Sequence, residues 1–183
     1  MTGKGSLNHN SRKFHAKNTD PNRTHWNVEY CNEDIKDVYH ELFDDALKRY
    51  NDKQTRKDRK IDDYYEKIRS GKQEKLFHEV ILQIGDKDNM GSETMEGQLA
   101  AKILDEYMKG FQERNPTLRV FAAHLHLDEA TPHLHIDFVP YVTGWKGKGM
   151  DTRVSLKQAL KSLGFQGGAK HDTEPVSYTH LTL

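Results

Sequence analysis

The feature that most constrains this 183-residue chain is a pair of strand patterns separated by a very short connection. Residues 118–127 and 133–141 are rich in aliphatic and aromatic residues, and only residues 128–132 lie between them. Strands joined by so few residues must pair as antiparallel neighbours, because a parallel pair needs a crossover of a dozen residues or more. The sequence therefore predicts an antiparallel hairpin late in the chain.

The remaining elements are predicted by hydrophobic periodicity. A two-residue period over 25–31 predicts a strand with Trp26, Val28 and Tyr30 on its buried face, and residues 76–84 predict another strand. Apolar residues at steps of three and four predict four helices, at about 34–50, 61–70, 99–111 and 156–163. The order β-α-α-β-α-β-β-α predicts one α+β domain, with an antiparallel sheet covered by helices on one face.

Composition excludes several classes of protein. No apolar stretch approaches the roughly 20 residues needed to cross a bilayer, and the polar N-terminus has no apolar signal region. The mean hydropathy is −0.93. The single cysteine, Cys31, cannot form an internal disulfide, which excludes a stapled extracellular scaffold. We therefore expect a cytoplasmic protein without membrane contact.

Charge is segregated beneath a net charge of zero. Residues 1–26 and residues 144–161 are each net +4, and residues 162–183 are net −1, which leaves −7 for residues 27–143. A polyanion would bind at the two basic segments. On charge alone, two solvated basic faces without a ligand remain an equal alternative.

Histidines concentrate in two parts of the chain, with seven of the 11 lying within residues 9–25 and 124–135. The strand period puts His133 and His135 on one face, and the hairpin can bring His126 opposite them. One strand histidine alone predicts nothing, but three imidazoles beside Glu129 in the turn predict an open-sided metal site. His124 lies two residues deeper, where it would support the site or pack in the interior.

Three segments resemble the motifs of the MobV (Mob/Pre, plasmid recombination enzyme) relaxases: His126-Leu-Asp-Glu129-Ala-Thr-Pro132-His133-Leu-His135, His9-Asn10-Ser11-Arg12, and Asn18-Thr-Asp20-Pro-Asn-Arg23-Thr-His25-Trp-Asn27. The resemblance implies an HUH-like fold with a central antiparallel sheet. It also implies a metal-dependent endonuclease that nicks one strand at a plasmid origin of transfer and stays covalently attached to the DNA, in conjugative mobilization or plasmid recombination. The expected metal is Mn²⁺ or Mg²⁺.

The resemblance also implies roles for individual residues. His9 would be the nucleophile, Glu129 would orient it and balance its proton, and the metal held by the three hairpin histidines would contact the scissile phosphate. Relatives can carry a tyrosine just after the position of Asn27, where this chain has Val28. A tyrosine nucleophile would therefore have to be Tyr30.

Seven residues are candidate DNA contacts through phosphates or unpaired bases: Asn10, Arg12, Arg23, Asn27, Lys146, Lys148 and Arg153. Trp26 could stack on a base, but its position in the strand favours core packing.

The end of the chain departs from the family pattern. We assign residues 1–174 to the relaxase domain, whereas residues 175–183 look like translated sequencing-adapter read-through. Family members continue into helical segments, so a homodimer would form through a region that is missing here.

Two other functions compete with the relaxase. One is a non-catalytic plasmid DNA-binding module in which the histidines hold a structural metal. The other is a three-histidine hydrolase of small molecules, which leaves the basic segments unexplained. A structural site needs a closed fourth ligand, whereas a relaxase needs His9 facing an open position.

Overall fold

The computed structural model describes residues 6–14 and 16–165, so the predicted tail at 175–183 lies outside the described residues. Its centre is a five-stranded sheet in which all neighbours are antiparallel. The strands lie in the order β1 (Val28–Asn32), β3 (Leu118–His126), β4 (His133–Val142) and β2 (His78–Gln83), and the short β5 (Arg153–Val154) pairs with the end of β4. The predicted α+β class with an antiparallel sheet is confirmed.

Six α-helices accompany the sheet in the described part of the chain: α1 (Leu7–Asn10), α2 (Ile35–Asp52), α3 (Tyr64–Ser70), α4 (Met95–Lys109), α5 (Phe111–Arg114) and α6 (Leu156–Ser162). Four of them begin where a side chain accepts a hydrogen bond from a first-turn backbone N–H, which satisfies an otherwise unpaired donor. These N-cap residues are Asp34, Asp63, Thr94 and Ser155. Among the described helices, none has the length and apolar character of a membrane span.

The predicted hairpin is confirmed, and its register fixes the histidines. His126 pairs with His133, and His124 pairs with His135. Paired residues in an antiparallel ladder point to the same face. The hairpin therefore places four imidazoles on one face of the sheet.

Helices cover both faces of the sheet, so the prediction of one covered face is wrong. On the face without the histidines, α4, α5 and α6 pack against residues such as Leu134 and Ile136. On the histidine face, α2 and α3 pack near the far end of β4, around Phe121 and Val139. The part of that face that carries the histidines is not covered by α2 or α3.

The N-terminal strand is shorter than predicted, and two core assignments are wrong. Residues Thr24–Trp26 form a 3-10 turn, so β1 begins only at Val28. Trp26 and Val28 are 36% and 37% exposed, so neither packs in the core as predicted. A two-residue period cannot detect this turn, because the alternating pattern continues through it.

Candidate metal centre

The site is built by the hairpin, which brings His126, His133 and His135 together. Their ring centroids lie 4.8 to 5.2 Å apart. One ligand atom from each residue falls within 4.8 Å of the others. The structure therefore brings the three predicted residues together in one group.

Each ring is oriented by a hydrogen bond at the nitrogen that faces away from the group. His126 Nε2 lies 2.8 Å from the Asn10 carbonyl oxygen, and His133 Nδ1 lies 2.8 Å from that of Thr131. His135 Nδ1 lies 2.7 Å from Glu79 Oε1. An oxygen acceptor requires a proton on the facing nitrogen, so these contacts fix the tautomer of each neutral ring.

The nitrogens that face inward consequently carry lone pairs. His126 Nδ1 and His133 Nε2 lie 3.3 Å apart, although neither can donate to the other in these tautomers. Among the described residues, the buried His135 Nε2 has no hydrogen-bond partner. A cation bound by imidazoles at about 2.1 Å would satisfy all three lone pairs at this spacing. The residues present therefore fit a divalent metal.

Burial favours the neutral form of two of the three rings, which is the form that binds metal. It lowers the pKa of His126 to about 2, and it also lowers the pKa of His133. His126 is 1% exposed and His135 is 5% exposed.

His9 and Glu129, the residues that the resemblance selects, lie beside the three histidines. His9 is carried by α1, and its ring centroid lies 6.0 Å from that of His126 and 6.3 Å from that of His135. Its Nε2 lies 3.4 Å from Glu129 Oε1, and its side chain is 24% exposed. An imidazole that solvent can reach, with a carboxylate at one nitrogen, thus borders the candidate metal position.

Arg12 joins α1 to the hairpin turn. Its guanidinium donates two hydrogen bonds to Asp128, at 2.9 and 2.5 Å, and one to Glu129 at 2.9 Å. Burial alone would raise the pKa of Asp128, but the hydrogen bonds from Arg12, the contact with Asn27 and the nearby positive charge together outweigh it and lower the pKa to about 2. Arg12 adopts a positive φ of 52°, a conformation that a non-glycine residue keeps only when its surroundings enforce it.

Two buried carboxylates beneath the histidines were not predicted. Glu79 and Asp137 are paired neighbours on β2 and β4, and both accept a hydrogen bond from the Asn10 side-chain amide, at 2.8 and 3.1 Å. Burial, and then the neighbouring Glu79, raise the pKa of Asp137 to about 7. Asp137 follows His133 and His135 in the same alternation, a signal that could have identified it.

Four of the predicted DNA contacts have partners inside the protein. Asn10 is 1% exposed, and Arg12 holds the hairpin turn. Arg23 donates to the Leu127 and Glu129 carbonyl oxygens, and Asn27 Oδ1 accepts from the Leu127 and Asp128 backbone N–H groups. All four surround the metal centre, and their contact with DNA stays a prediction.

The other three predicted DNA contacts lie elsewhere. Lys146 and Lys148 lie in the loop between β4 and β5, and Arg153 pairs with Val142 at the end of β4 farthest from His133. The structure therefore does not bring the two basic segments together.

Two further residues are placed away from the centre of the site. The Tyr30 hydroxyl donates to Asp105 on α4, its ring packs against the core on the face without histidines, and burial raises its pKa. His124 is 4% exposed and contacts Glu29 on β1 at 3.2 Å. His124 thus lies on the histidine face without joining the group of three, as predicted.

Fold and site together define an α+β protein with a three-histidine metal centre on an antiparallel sheet, bordered by a fourth histidine and a carboxylate. The family model described as plasmid recombination enzyme (Mob_Pre) matches residues 5–165. The chain belongs to this family.

Individual relatives are distant. A plasmid recombination enzyme from Streptococcus agalactiae is 26% identical over 165 residues, which cover 87% of this chain and 30% of that protein. The chain thus spans under a third of the length of that relative. A solved structure described as the Mn-bound MobM relaxase domain (MOBV) with 22-nucleotide plasmid pMV158 oriT DNA is 25% identical, covers 91% of this chain and 86% of its own, and has a TM-score of 0.46. Another, with 23-nucleotide DNA, is 22% identical, covers 94% of this chain and 86% of its own, and has a TM-score of 0.43.

Proposed function

We propose that this chain is a metal-dependent relaxase that nicks one DNA strand at a plasmid origin of transfer and joins the cut strand to His9. The observation that carries the proposal is the position of the His9–Glu129 pair beside three histidines whose ligand atoms lie within 4.8 Å of one another. Family membership supplies plasmid DNA as the substrate class. A cytoplasmic location, where plasmids are processed, belongs to the same proposal.

The metal position would be held by His126, His133 and His135, and Mn²⁺ or Mg²⁺ is the expected ion. When bound, a divalent ion supplies Lewis-acid polarisation of a phosphate oxygen and offsets its charge. Asn10, Thr131 and Glu79 keep the three lone pairs directed at that position.

His9 performs the covalent step in this proposal. His9 Nε2 lies 3.4 Å from Glu129 Oε1 and 3.3 Å from Arg12 Nη1, which can only donate. The neutral ring has one nitrogen with a lone pair, and in this proposal that nitrogen attacks phosphorus. The new N–P bond forms as the bond from phosphorus to the 3′ oxygen breaks, and that oxygen leaves as a hydroxyl after taking a proton. Glu129 balances the positive charge that develops on the imidazole, and Arg12 fixes Glu129 in place.

The same distances also allow the alternative in which the metal is structural and the protein does not cut DNA. Glu129 Oε1 lies 3.9 Å from His133 Nε2, and His9, His126 and Glu129 have ligand atoms within 4.8 Å of one another. A closed site would use His9 or Glu129 as its fourth ligand. In that case His9→Ala would weaken metal binding, whereas a nucleophilic His9 can be removed without loss of metal affinity.

The decisive experiment is incubation of the protein with a supercoiled plasmid that carries its cognate origin, with and without Mn²⁺. We expect metal-dependent conversion to the open circular form and a covalent protein–DNA species. A plasmid without the origin is the control. Intact supercoiled DNA at every metal concentration would contradict the proposal.

A further inference from the structure

A second candidate binding site lies at the end of the sheet opposite the histidines. A groove of about 490 Å³ separates α3 from the segment that precedes and forms β5. Its lining includes four cationic side chains and, among the described residues, a single carboxylate, Glu74. The four cations are Lys67, Lys72, Lys148 and Arg153. The lining is therefore net +3.

The two walls of this groove are fixed to each other. The Val154 backbone N–H donates to the Tyr64 hydroxyl at 3.1 Å, which joins β5 to α3. Met150 and Val154 are 4% and 1% exposed and pack with Tyr64 in one hydrophobic cluster. The groove is thus preformed and does not need to be assembled around a ligand.

The cations of the groove are not neutralised by the protein. Within the described part of the chain, none of the four forms a salt bridge within 4.0 Å; Arg153 instead lies over the Trp145 ring, at 5.6 Å, and Lys67 lies 6.0 Å from the Tyr50 ring centroid. Burial, and then the nearby Arg153, lower the pKa of Lys67. Four cations held together with a single carboxylate, Glu74, favour a ligand with several negative charges.

The groove is too far from the metal centre to contact the reacting phosphate. From His133 to Val142, which pairs with Arg153, β4 advances nine residues, or about 30 Å at 3.3 Å per residue. The helix α3 nevertheless packs on the same face of the sheet as the histidines. An extended ligand could therefore reach both sites, and about 30 Å corresponds to roughly nine base pairs of DNA.

We propose that this groove, formed by α3 and the β4–β5 segment, binds backbone phosphates of the same DNA, about 30 Å from the phosphate that reacts at the histidines. The inference rests on the proposed function, which it extends by a second contact region. Phosphates suit the groove because it offers several cations and few groups that could distinguish one base from another.

The test uses two residues of the groove that the sequence did not single out. Each phosphate contact contributes about 0.9 to the slope of log affinity against log salt on duplex DNA. For a 30-base-pair origin duplex, the double variant Lys67→Gln/Lys72→Gln should lower that slope by about 1.8 and weaken binding roughly tenfold at physiological salt. The variant Lys67→Arg/Lys72→Arg should keep the slope.

The matched control removes two exposed lysines elsewhere, Lys87→Gln/Lys102→Gln, and should leave the slope unchanged. If the groove variant has the same slope as this control while the unaltered protein nicks plasmid DNA, the groove proposal is wrong and the relaxase proposal stands. If the groove variant loses slope but the unaltered protein does not nick, the relaxase proposal fails and the groove remains a DNA-binding site.

Discussion

At the residue scale, the metal centre depends on the oxygen atoms that accept hydrogen bonds from the outward-facing nitrogens of the histidines. His135 takes its tautomer from Glu79, and His126 takes its tautomer from a backbone carbonyl of α1. Loss of such supporting contacts typically costs 10- to 100-fold in metal affinity. The three imidazoles are therefore suited to bind a metal because of their surroundings as well as their spacing.

The first prediction concerns these ligands. Replacement of His126, His133 or His135 by Ala removes one of three lone pairs, so we expect Mn²⁺ affinity to fall at least 100-fold and metal-dependent nicking to disappear. Isothermal titration calorimetry and plasmid nicking measure the two effects. His124→Ala, on the same face but outside the group, is the matched control and should keep metal affinity. One equivalent of Mn²⁺ bound with unchanged affinity by the triple variant would contradict the assignment.

The second prediction concerns His9. We expect His9→Ala to abolish the covalent DNA adduct while metal affinity changes less than about threefold. An adduct on histidine is a phosphoramidate, which acid hydrolyses, whereas an adduct on tyrosine is stable in acid. Trapping on an origin oligonucleotide, acid treatment and peptide mapping distinguish the two. An acid-stable adduct on the peptide that contains Tyr30 would overturn the mechanism, although its hydrogen bond to Asp105 argues against that outcome.

The third prediction concerns pH and stability. His78 is 7% exposed and stacks on Phe138, and burial lowers its pKa from 6.5 to about 4. Between these two values the unfolded chain binds more protons than the folded one, so stability falls as pH falls through this window. The contribution of His78 is at most about 3 kcal/mol.

His78→Phe should remove that part of the pH dependence. Urea unfolding at pH 7 and at pH 4.5 measures it. His40→Phe, which replaces an exposed histidine, should leave the dependence on acid intact. Equal acid sensitivity in the two variants would rule out His78 as a contributor.

At the element scale, α1 has only four residues, and a helix this short has no stability of its own. It is held by the Asn10 amide, which bridges Glu79 and Asp137, and by Arg12 on the hairpin turn. The helix that carries His9 is therefore positioned by tertiary contacts with residues that lie 69 to 127 positions further along the chain.

The fourth prediction tests this anchoring. Asn10→Leu leaves two buried carboxylates without their shared donor, so we expect the free energy of unfolding to fall by about 2–4 kcal/mol. Nicking should fall more than metal affinity does, because His9 loses its position. Asn8→Leu, at an exposed position of the same helix, should change neither property. Thermal unfolding and the nicking assay provide the measurements, and equal behaviour of the two variants would show that Asn10 does not anchor α1.

Local patterns revealed most of the elements but not all of the contacts. The hairpin was predictable because a short connection and alternating histidines leave few alternatives, and the motif resemblance selected His9 and Glu129. Glu79 was not predicted as a support for His135, since the two lie on different strands and only the β2–β4 register brings them together. The helices α2 and α3 could not be assigned to the histidine face from the sequence. Hydrophobic periodicity identifies the buried face of a helix but not the surface against which that face packs.

At the scale of the whole molecule, the two basic segments, residues 1–26 and residues 144–161, lie in separate regions of the fold. The loop with Lys146 and Lys148 is fixed to α2 by two hydrogen bonds from Arg49 to Asp151, at 2.9 and 2.8 Å. Residues 27–143 are net −7 and, apart from the groove cations Lys67 and Lys72, would repel DNA. Binding should therefore depend strongly on a few cations and on salt.

The fifth prediction follows from this distribution. Lys146→Glu/Lys148→Glu should weaken duplex binding and lower the salt slope by about 0.9 for each phosphate contact that is lost. Fluorescence anisotropy over a range of salt concentrations measures both quantities. Lys87→Glu/Lys102→Glu makes the same change in net charge elsewhere. If both variants lose affinity equally, net charge alone governs binding and the loop is not part of the contact region.

The short hairpin has a consequence for the order in which the site residues come together during folding. All three metal ligands lie within ten residues of chain, so little loop entropy is lost in bringing them together. His9 joins them across a separation of more than a hundred residues, which is a late event in folding by the same argument. During synthesis or refolding, the chain can therefore gather its metal-binding residues before its nucleophile is in place. A partly folded molecule would hold the metal without being able to cut, and cleavage would begin only when the whole domain has closed.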